Sequence, residues 1–161
     1  MSTRVDERFL LILRLLMAWI FLYAASHQVF DPSFSVIGFL SHTKTFNGLF
    51  SVFTAPSIAP VVSFLVAYGH LAIGLSLLFG CLVRLSAPCG AAILLLYWMA
   101  HMDFPFISDE TNFLIDYHIV YIVVLIYLAV KGVGSIYGLD GIIARSSFVR
   151  NHMTYSPLFS R

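Results

Sequence analysis

Four ionisable side chains stand where apolar runs seldom carry them: Arg14, His70, Asp116 and His118. A charge at such depth in a lipid-facing stretch is costly unless it faces a bundle interior or water, so each is a functional candidate by default. Arg14 and His70 fall near the middle depths of consecutive apolar runs, with Gly74 one turn beyond His70 to admit a close helix. They are expected to share one buried polar centre. A second group gathers where the runs end. His27 closes the first run with Tyr23 one turn behind it, and His101 closes the third with Tyr97 and Trp98 on its face. Asn112 and Asp116 share a face of the fourth, next to His118, with Tyr121 one turn further in.

Aromatic walls with a histidine and a carboxylate suit a quinone, whose carbonyls need hydrogen-bond donors and whose reduction needs protons from titratable groups. Asp116 and His118 are the candidate proton-handling pair. Tyr97, Trp98 and Tyr121 are the candidate quinone walls, and His27, His101 and Asn112 are polar groups at the outer face. Three histidines and an acid could also hold a divalent metal, but no pair has a spacing such as His-x-x-x-His, and no metal site is assigned. Plain structural readings compete throughout. Arg14 can snorkel to the near interface, the terminal histidines and aromatics can be interface anchors, and Asp116 and His118 can be satisfied by an ordinary interhelical hydrogen bond.

The elements that must position these residues follow from composition. Of 161 residues, 60% are hydrophobic and 11% charged, and the mean hydropathy is +0.91, which fits one membrane domain over 1–161 and no soluble core. A net charge of +1 argues against a nucleic-acid partner. Apolar runs at about 9–29, 57–82, 84–101 and 112–130 each approach the ~20 residues that a helix needs to cross the hydrocarbon core. The first reads as a retained span, since no cleavage site and polar mature region follow it. Residues 34–60 are too interrupted by polar groups to cross, yet Phe46, Leu49, Phe50 and Phe53 recur at i, i+3, i+4 and i+7, so a short interfacial helix capping the bundle is expected. The stretch 102–111, with Pro105 and three acids, reads as a solvated loop. The expectation is therefore an all-α integral membrane four-helix bundle with an interfacial segment between spans one and two.

Basic residues set the orientation. Arg4, Arg8, Arg84, Lys131, Arg145, Arg150 and Arg161 fall on one side and Lys44 alone on the other, which places both termini in the cytoplasm. The outer face then carries Asp31, Asp103, Asp109 and Glu110. Cys81 and Cys89 flank the inner basic turn without a Cys-x-x-Cys spacing and read as inert small apolar residues.

The stretches RLLMAWIFLYAASHQVFDP (14–32), GHLAIGLSLLFGCLVRLSAPCGAAILLLYW (69–98) and NFLIDYHIVYIVVLIYLAVKGVGSIYGLDG (112–141) resemble, in this order, the successive signatures of the DoxX/DoxD family of small four-helix membrane proteins. Arg14, Arg84, Asn112, His118, Gly138 and Asp140 sit where the family pattern has the same residue types. The chain departs from it at Ala25 and Gln28, where the pattern has Gly and Lys, and at His70, where it has Glu. Losing the Lys removes an outer positive charge that could draw an anion such as thiosulfate. Exchanging Glu for His keeps a titratable group that is cheaper to bury when neutral.

What the resemblance implies is redox work in the cytoplasmic membrane of a prokaryote. DoxD-type proteins are associated with thiosulfate:quinone oxidoreductase, which makes tetrathionate and passes electrons to the quinone pool. Other DoxX relatives are membrane partners of redox proteins. Two functions are thereby expected: a quinone-linked redox subunit, or a non-catalytic accessory subunit packed against a larger respiratory or oxygenase complex. The expected partners are the bilayer and other membrane subunits or a redox protein. With no haem or flavin motif of its own, the chain would pass electrons through quinone or a partner.

Overall fold

The computed structural model describes residues 3–107 and 112–145. Helix α1 spans Arg4–Val29 and begins earlier than the apolar run because Thr3 and Asp6 form a reciprocal cap: the Thr3 hydroxyl accepts from the Asp6 N–H at 3.2 Å and the Asp6 carboxylate from the Thr3 N–H at 2.8 Å. Its buried residues, Leu10, Arg14, Met17, Ala18, Phe21 and Ala25, recur at helical spacing, while Trp19 and Tyr23 on other faces are exposed.

Helix α4 (Ala59–Phe79) starts with Pro60 in its first turn, where the missing N–H has no partner to lose, and ends at Gly80 in the left-handed conformation (φ 63°). Helix α5 (Val83–His101) follows after a tight turn. These three helices are long and apolar enough to cross a membrane, and only a third of the most apolar window of each is buried within the chain. The remaining apolar surface has to face lipid.

Helix α6 spans Tyr117–Val130. Its 14 residues rise about 21 Å, short of the ~30 Å hydrocarbon core. The helix expected from Asn112 thus begins five residues later, because Asp116 takes the N-cap position with extended backbone, and Asn112 lies in a strand rather than on a helical face with Asp116. α1 packs on α4, α4 on α5, α5 on α6 and α6 back on α1, closing a four-helix arrangement around a core that includes Met17, Phe21, Leu77, Leu94 and Leu125. Gly74 lets α1 and α4 touch at Leu22, and Gly90 lets α5 approach Phe21.

Two smaller features lie between the long helices. Residues 102–113 hold a small antiparallel sheet, β1 (Met102–Asp103), β2 (Phe106–Ile107) and β3 (Asn112–Phe113), where a solvated loop was expected. Its register pairs Met102 with Ile107 and Phe106 with Phe113. Asp109 and Glu110 lie outside the described residues, as do Arg150 and Arg161.

The segment before α4 forms helices α2 (Ile37–Leu40) and α3 (Asn47–Phe50), then a 3-10 turn over Ser51–Thr54. Phe50 is buried, with Phe46 and Phe53 packed beside it against Val62, Val66 and Ala100. Leu49, expected on the same face, is exposed. The continuous helix breaks because the tighter 3-10 turn, with 3.0 residues per turn, sets Phe53 over Phe50 (ring centroids 6.5 Å apart) rather than in line with Leu49. The Val36 N–H donates to the Ser63 hydroxyl at 3.1 Å, and Lys44 pairs with Asp103, so the segment is tied to both α4 and the sheet.

Candidate functional site

The start of α6 builds the site's central pair. Asp116 Oδ1 accepts from the backbone N–H of His118 at 3.0 Å, a helix cap, and Oδ2 accepts from His118 Nδ1 at 2.7 Å. Both residues are buried. The carboxylate therefore answers one of the helix's unpaired N–H groups, sits at the end of the macrodipole that favours an anion, and fixes the imidazole with its proton on Nδ1. Nε2 is left as the basic atom.

Around His118 its own helix and α5 bring a set of rings. Tyr117 stacks at 4.2 Å between centroids, His101 lies at 5.2 Å, and Tyr97 is parallel within 5° at 6.3 Å. Beyond Tyr97, at 5.7 Å, lies His70, whose Nδ1 is 2.7 Å from Gln28 Oε1. These groups border a cavity of about 220 Å³, to which α1 contributes Ile20, Phe21, Ala24 and Gln28, α4 His70, α5 Leu94, Tyr97 and His101, and α6 Tyr117 and His118. All four principal helices thus meet there.

The structure brings together part of the expected site and disperses the rest. His70, Tyr97, His101 and His118 line the cavity, with Asp116 behind His118. His27 does not: it is exposed, bonds the Tyr23 carbonyl one turn back at 3.0 Å and lies against the Tyr23 ring. Trp98 turns to the α5–α6 connection, where its indole N–H donates to the Leu114 carbonyl at 2.8 Å. Tyr121 packs beside Tyr117 against the hydrophobic core, not on the cavity. Asn112 lies in β3, and its side chain falls outside the described residues.

Arg14 and His70 do not share a polar centre. His70 pairs with Gln28, fourteen positions after Arg14 on α1, a rise of about 21 Å. Because α4 runs antiparallel to α1, Arg14 lies beside Gly80 instead. There its guanidinium donates to the carbonyls of Val133 and Ile136, both at 2.9 Å, and of Tyr137 at 3.3 Å. It neither snorkels nor reaches the cavity; it is 2% exposed, and its Nε is the single buried side-chain nitrogen or oxygen without a partner among the described residues.

Asp140, at the start of α7 (Leu139–Arg145), completes this lock by accepting from the N–H groups of Leu82 (2.7 Å) and Val83 (3.2 Å), so it caps α5 from a distant part of the chain. Its own N–H donates to the Gly80 carbonyl at 2.9 Å. Among the described residues, no three His, Cys, Asp or Glu side chains are grouped as a metal site.

Gln28 and Tyr117 are the polar cavity residues that sequence reasoning passed over. Gln28 drew notice only for the lysine it replaces, yet it follows the buried Phe21 and Ala25 at i+7 and i+3 spacing, which is the signal that marks it.

Long apolar helices with lipid-facing sides, packed around buried polar groups, define a multi-pass helical membrane protein. The DoxX family model matches residues 9–102, more than half of the chain, and the chain belongs to the DoxX family. No curated protein and no solved structure matches it significantly. The family match covers α1, α4 and α5 and stops before Asp116 and His118.

Proposed function

We propose that the chain is a DoxX-type membrane subunit of a quinone-linked redox system in the cytoplasmic membrane of a prokaryote, with both termini cytoplasmic and the cavity receiving a quinone ring. The observation that carries this reading is the Asp116–His118 pair opening on an aromatic cavity walled by four helices. At about 220 Å³ the cavity falls below the ~300–1,000 Å³ of pockets that enclose drug-sized ligands, a size suited to a single ring. The ring packing of Tyr97, His101 and Tyr117 supplies its walls.

Reduction of a quinone consumes two electrons and two protons; the electrons come from a redox partner protein. The chain's residues handle the protons. Asp116 holds Nδ1–H, so Nε2 of His118 takes a proton from the outer side and hands it to a carbonyl oxygen, with the carboxylate stabilising the imidazolium in between. His70, whose Nδ1 proton is held by Gln28 on the opposite wall, takes up the second proton on Nε2 and passes it to the other carbonyl oxygen, which completes the two-proton balance. Thiosulfate as the electron source is not favoured, because the Gln28 amide offers no cation where the DoxD pattern has lysine.

Gentle extraction from native membranes, with mass spectrometry and an optical spectrum of what stays bound, tests the reading. Quinone recovered with the chain, and its reduction lost in His118→Ala and Asp116→Asn while the protein persists, are the expected results. Full activity in both variants would sink the proton roles. Recovery inside a large haem- or copper-bearing assembly, with activity indifferent to both changes, would make the chain an accessory subunit.

A further inference from the structure

We propose that the apolar groove beneath the α2–α3 cap binds the isoprenoid tail of the quinone whose ring enters the neighbouring cavity, an inference that rests on the quinone reading. The groove has a volume of about 130 Å³ and lies between the cap and helices α4 and α5, among Phe39, Phe53, Val62, Val66, Leu96 and Tyr97. Tyr97 alone among its lining side chains carries a hydrogen-bonding group, so only a hydrocarbon gains by entering. Leu96 is 47% exposed on the lipid side, which gives the groove an exit into the bilayer.

The groove and the polar cavity meet at Tyr97, which lines both. Phe39, from the cap, packs across this boundary with its ring tilted, 5.5 Å from the Tyr97 ring and 4.8 Å from that of His101, itself a wall of the cavity. A polar recess and a hydrocarbon recess sharing one wall fit an amphiphile with a polar ring and an apolar chain. Charge separates a quinone from a phospholipid. No lysine or arginine lines the cavity, and the carboxylate of Asp116 lies one residue behind it, so a phosphate headgroup would find no lysine or arginine to pair with and an anion nearby. The polar groups that a neutral dicarbonyl ring meets are three imidazoles, two phenols and an amide. Size sets the extent of the contact: a dry cavity of about 150 Å³ holds one benzene. The groove therefore takes one isoprene unit, and the rest of the tail continues past Leu96 into lipid.

The test compares two probes on the full chain in phosphatidylcholine nanodiscs: 2,3-dimethoxy-5-methylbenzoquinone, and the same ring bearing a decyl chain, each corrected for partition into empty discs. The wild-type chain is expected to bind the decyl probe about ten-fold more tightly than the bare ring. Leu96→Trp, at a half-exposed position that tolerates bulk, should abolish that advantage and leave bare-ring affinity unchanged; Val62→Trp fills the groove from α4 and serves if the first variant misfolds. An equal affinity of the two probes for the wild type, or a tail advantage that survives both variants, overturns the proposal. Failure of both probes to bind the wild type overturns the quinone reading with it. Phospholipid retained by the wild type and lost from the variants, with no tail advantage, assigns the groove to a lipid acyl chain instead.

Discussion

Asp116 and His118 are joined twice, through the backbone N–H of His118 to Oδ1 and through its Nδ1 to Oδ2, so one carboxylate both starts helix α6 and sets the tautomer of the cavity histidine. The two roles separate by substitution. Asparagine caps a helix about as well as aspartate, whereas alanine costs about 1 kcal/mol of cap. Asp116→Asn is expected to melt close to the wild type while losing the anion that holds the imidazolium; Asp116→Ala should lower both melting temperature and quinone reduction. Thermal unfolding in detergent, paired with turnover, checks the split. Equal melting losses in the two variants would show that the charge, not the cap, stabilises the helix start.

The α1–α4 contact makes a sharper stability prediction. A Cβ on Gly74 would lie 2.8 Å from two Leu22 side-chain carbons and 3.0 Å from its backbone nitrogen, which cannot turn away. Gly74→Ala should therefore cost about 1–3 kcal/mol. Gly90→Ala meets only side-chain atoms, the nearest being Phe21 Cζ at 3.0 Å, and should cost less. The order of the two melting temperatures decides the matter.

At the basic end, Arg14→Met removes the donor to three carbonyls; that of Val133 keeps its bond from the Ile136 N–H, whereas that of Ile136 loses its charged donor in a partly buried site, at about 1–3 kcal/mol. The expected result is selective loosening: amide exchange around 133–145 should quicken while α4 and α5 stay protected. Arg14→Lys, a point charge in place of a planar fork, should restore the protection only in part. Uniform exchange across the bundle in Arg14→Met would count against a local lock.

Asp31 sits past the end of α1, where the Ser33 N–H (2.9 Å) and hydroxyl (2.6 Å) both donate to Oδ1 and hold its carboxyl below the usual range. The hydroxyl contributes most, then the backbone N–H. A carboxyl depressed in the folded state contributes stability that is present above its unfolded pKa and is lost as pH falls through the folded value. Ser33→Ala should raise the Asp31 pKa towards the ordinary value, as read by carboxyl-carbon NMR against pH; an unmoved titration would assign the effect to the backbone bond alone.

Much of this was legible in the residues. The long apolar runs, the arginine-rich end and the gathering of Tyr97, His101 and His118 follow from hydropathy and from ionisable groups at depth; the place of His70 among them, expected beside Arg14 instead, does not. What failed were judgements of depth and facing. Pairing Arg14 with His70 assumed equal depth on neighbouring spans, but antiparallel packing sets Arg14 against Gly80 and His70 against Gln28. His27 and Gln28 are adjacent in sequence yet about 100° apart on the helix, enough to send one to the surface and the other to the cavity. The delayed start of α6 was hidden because Asn112 to Ile115 is as apolar as a helix end, and only the capping role of Asp116 marks the boundary.

The bond from Arg14 to the Val133 carbonyl joins residues 119 positions apart. In the order of synthesis, the buried arginine of the first helix reaches the membrane long before its acceptors are translated. Until then a charge in α1 has no protein partner at that depth, and the early hairpins are held short of their final packing. A chain interrupted before Val133 is expected to insert and yet remain open at the arginine end, prey to membrane quality control, so that the last helices to be made license the first.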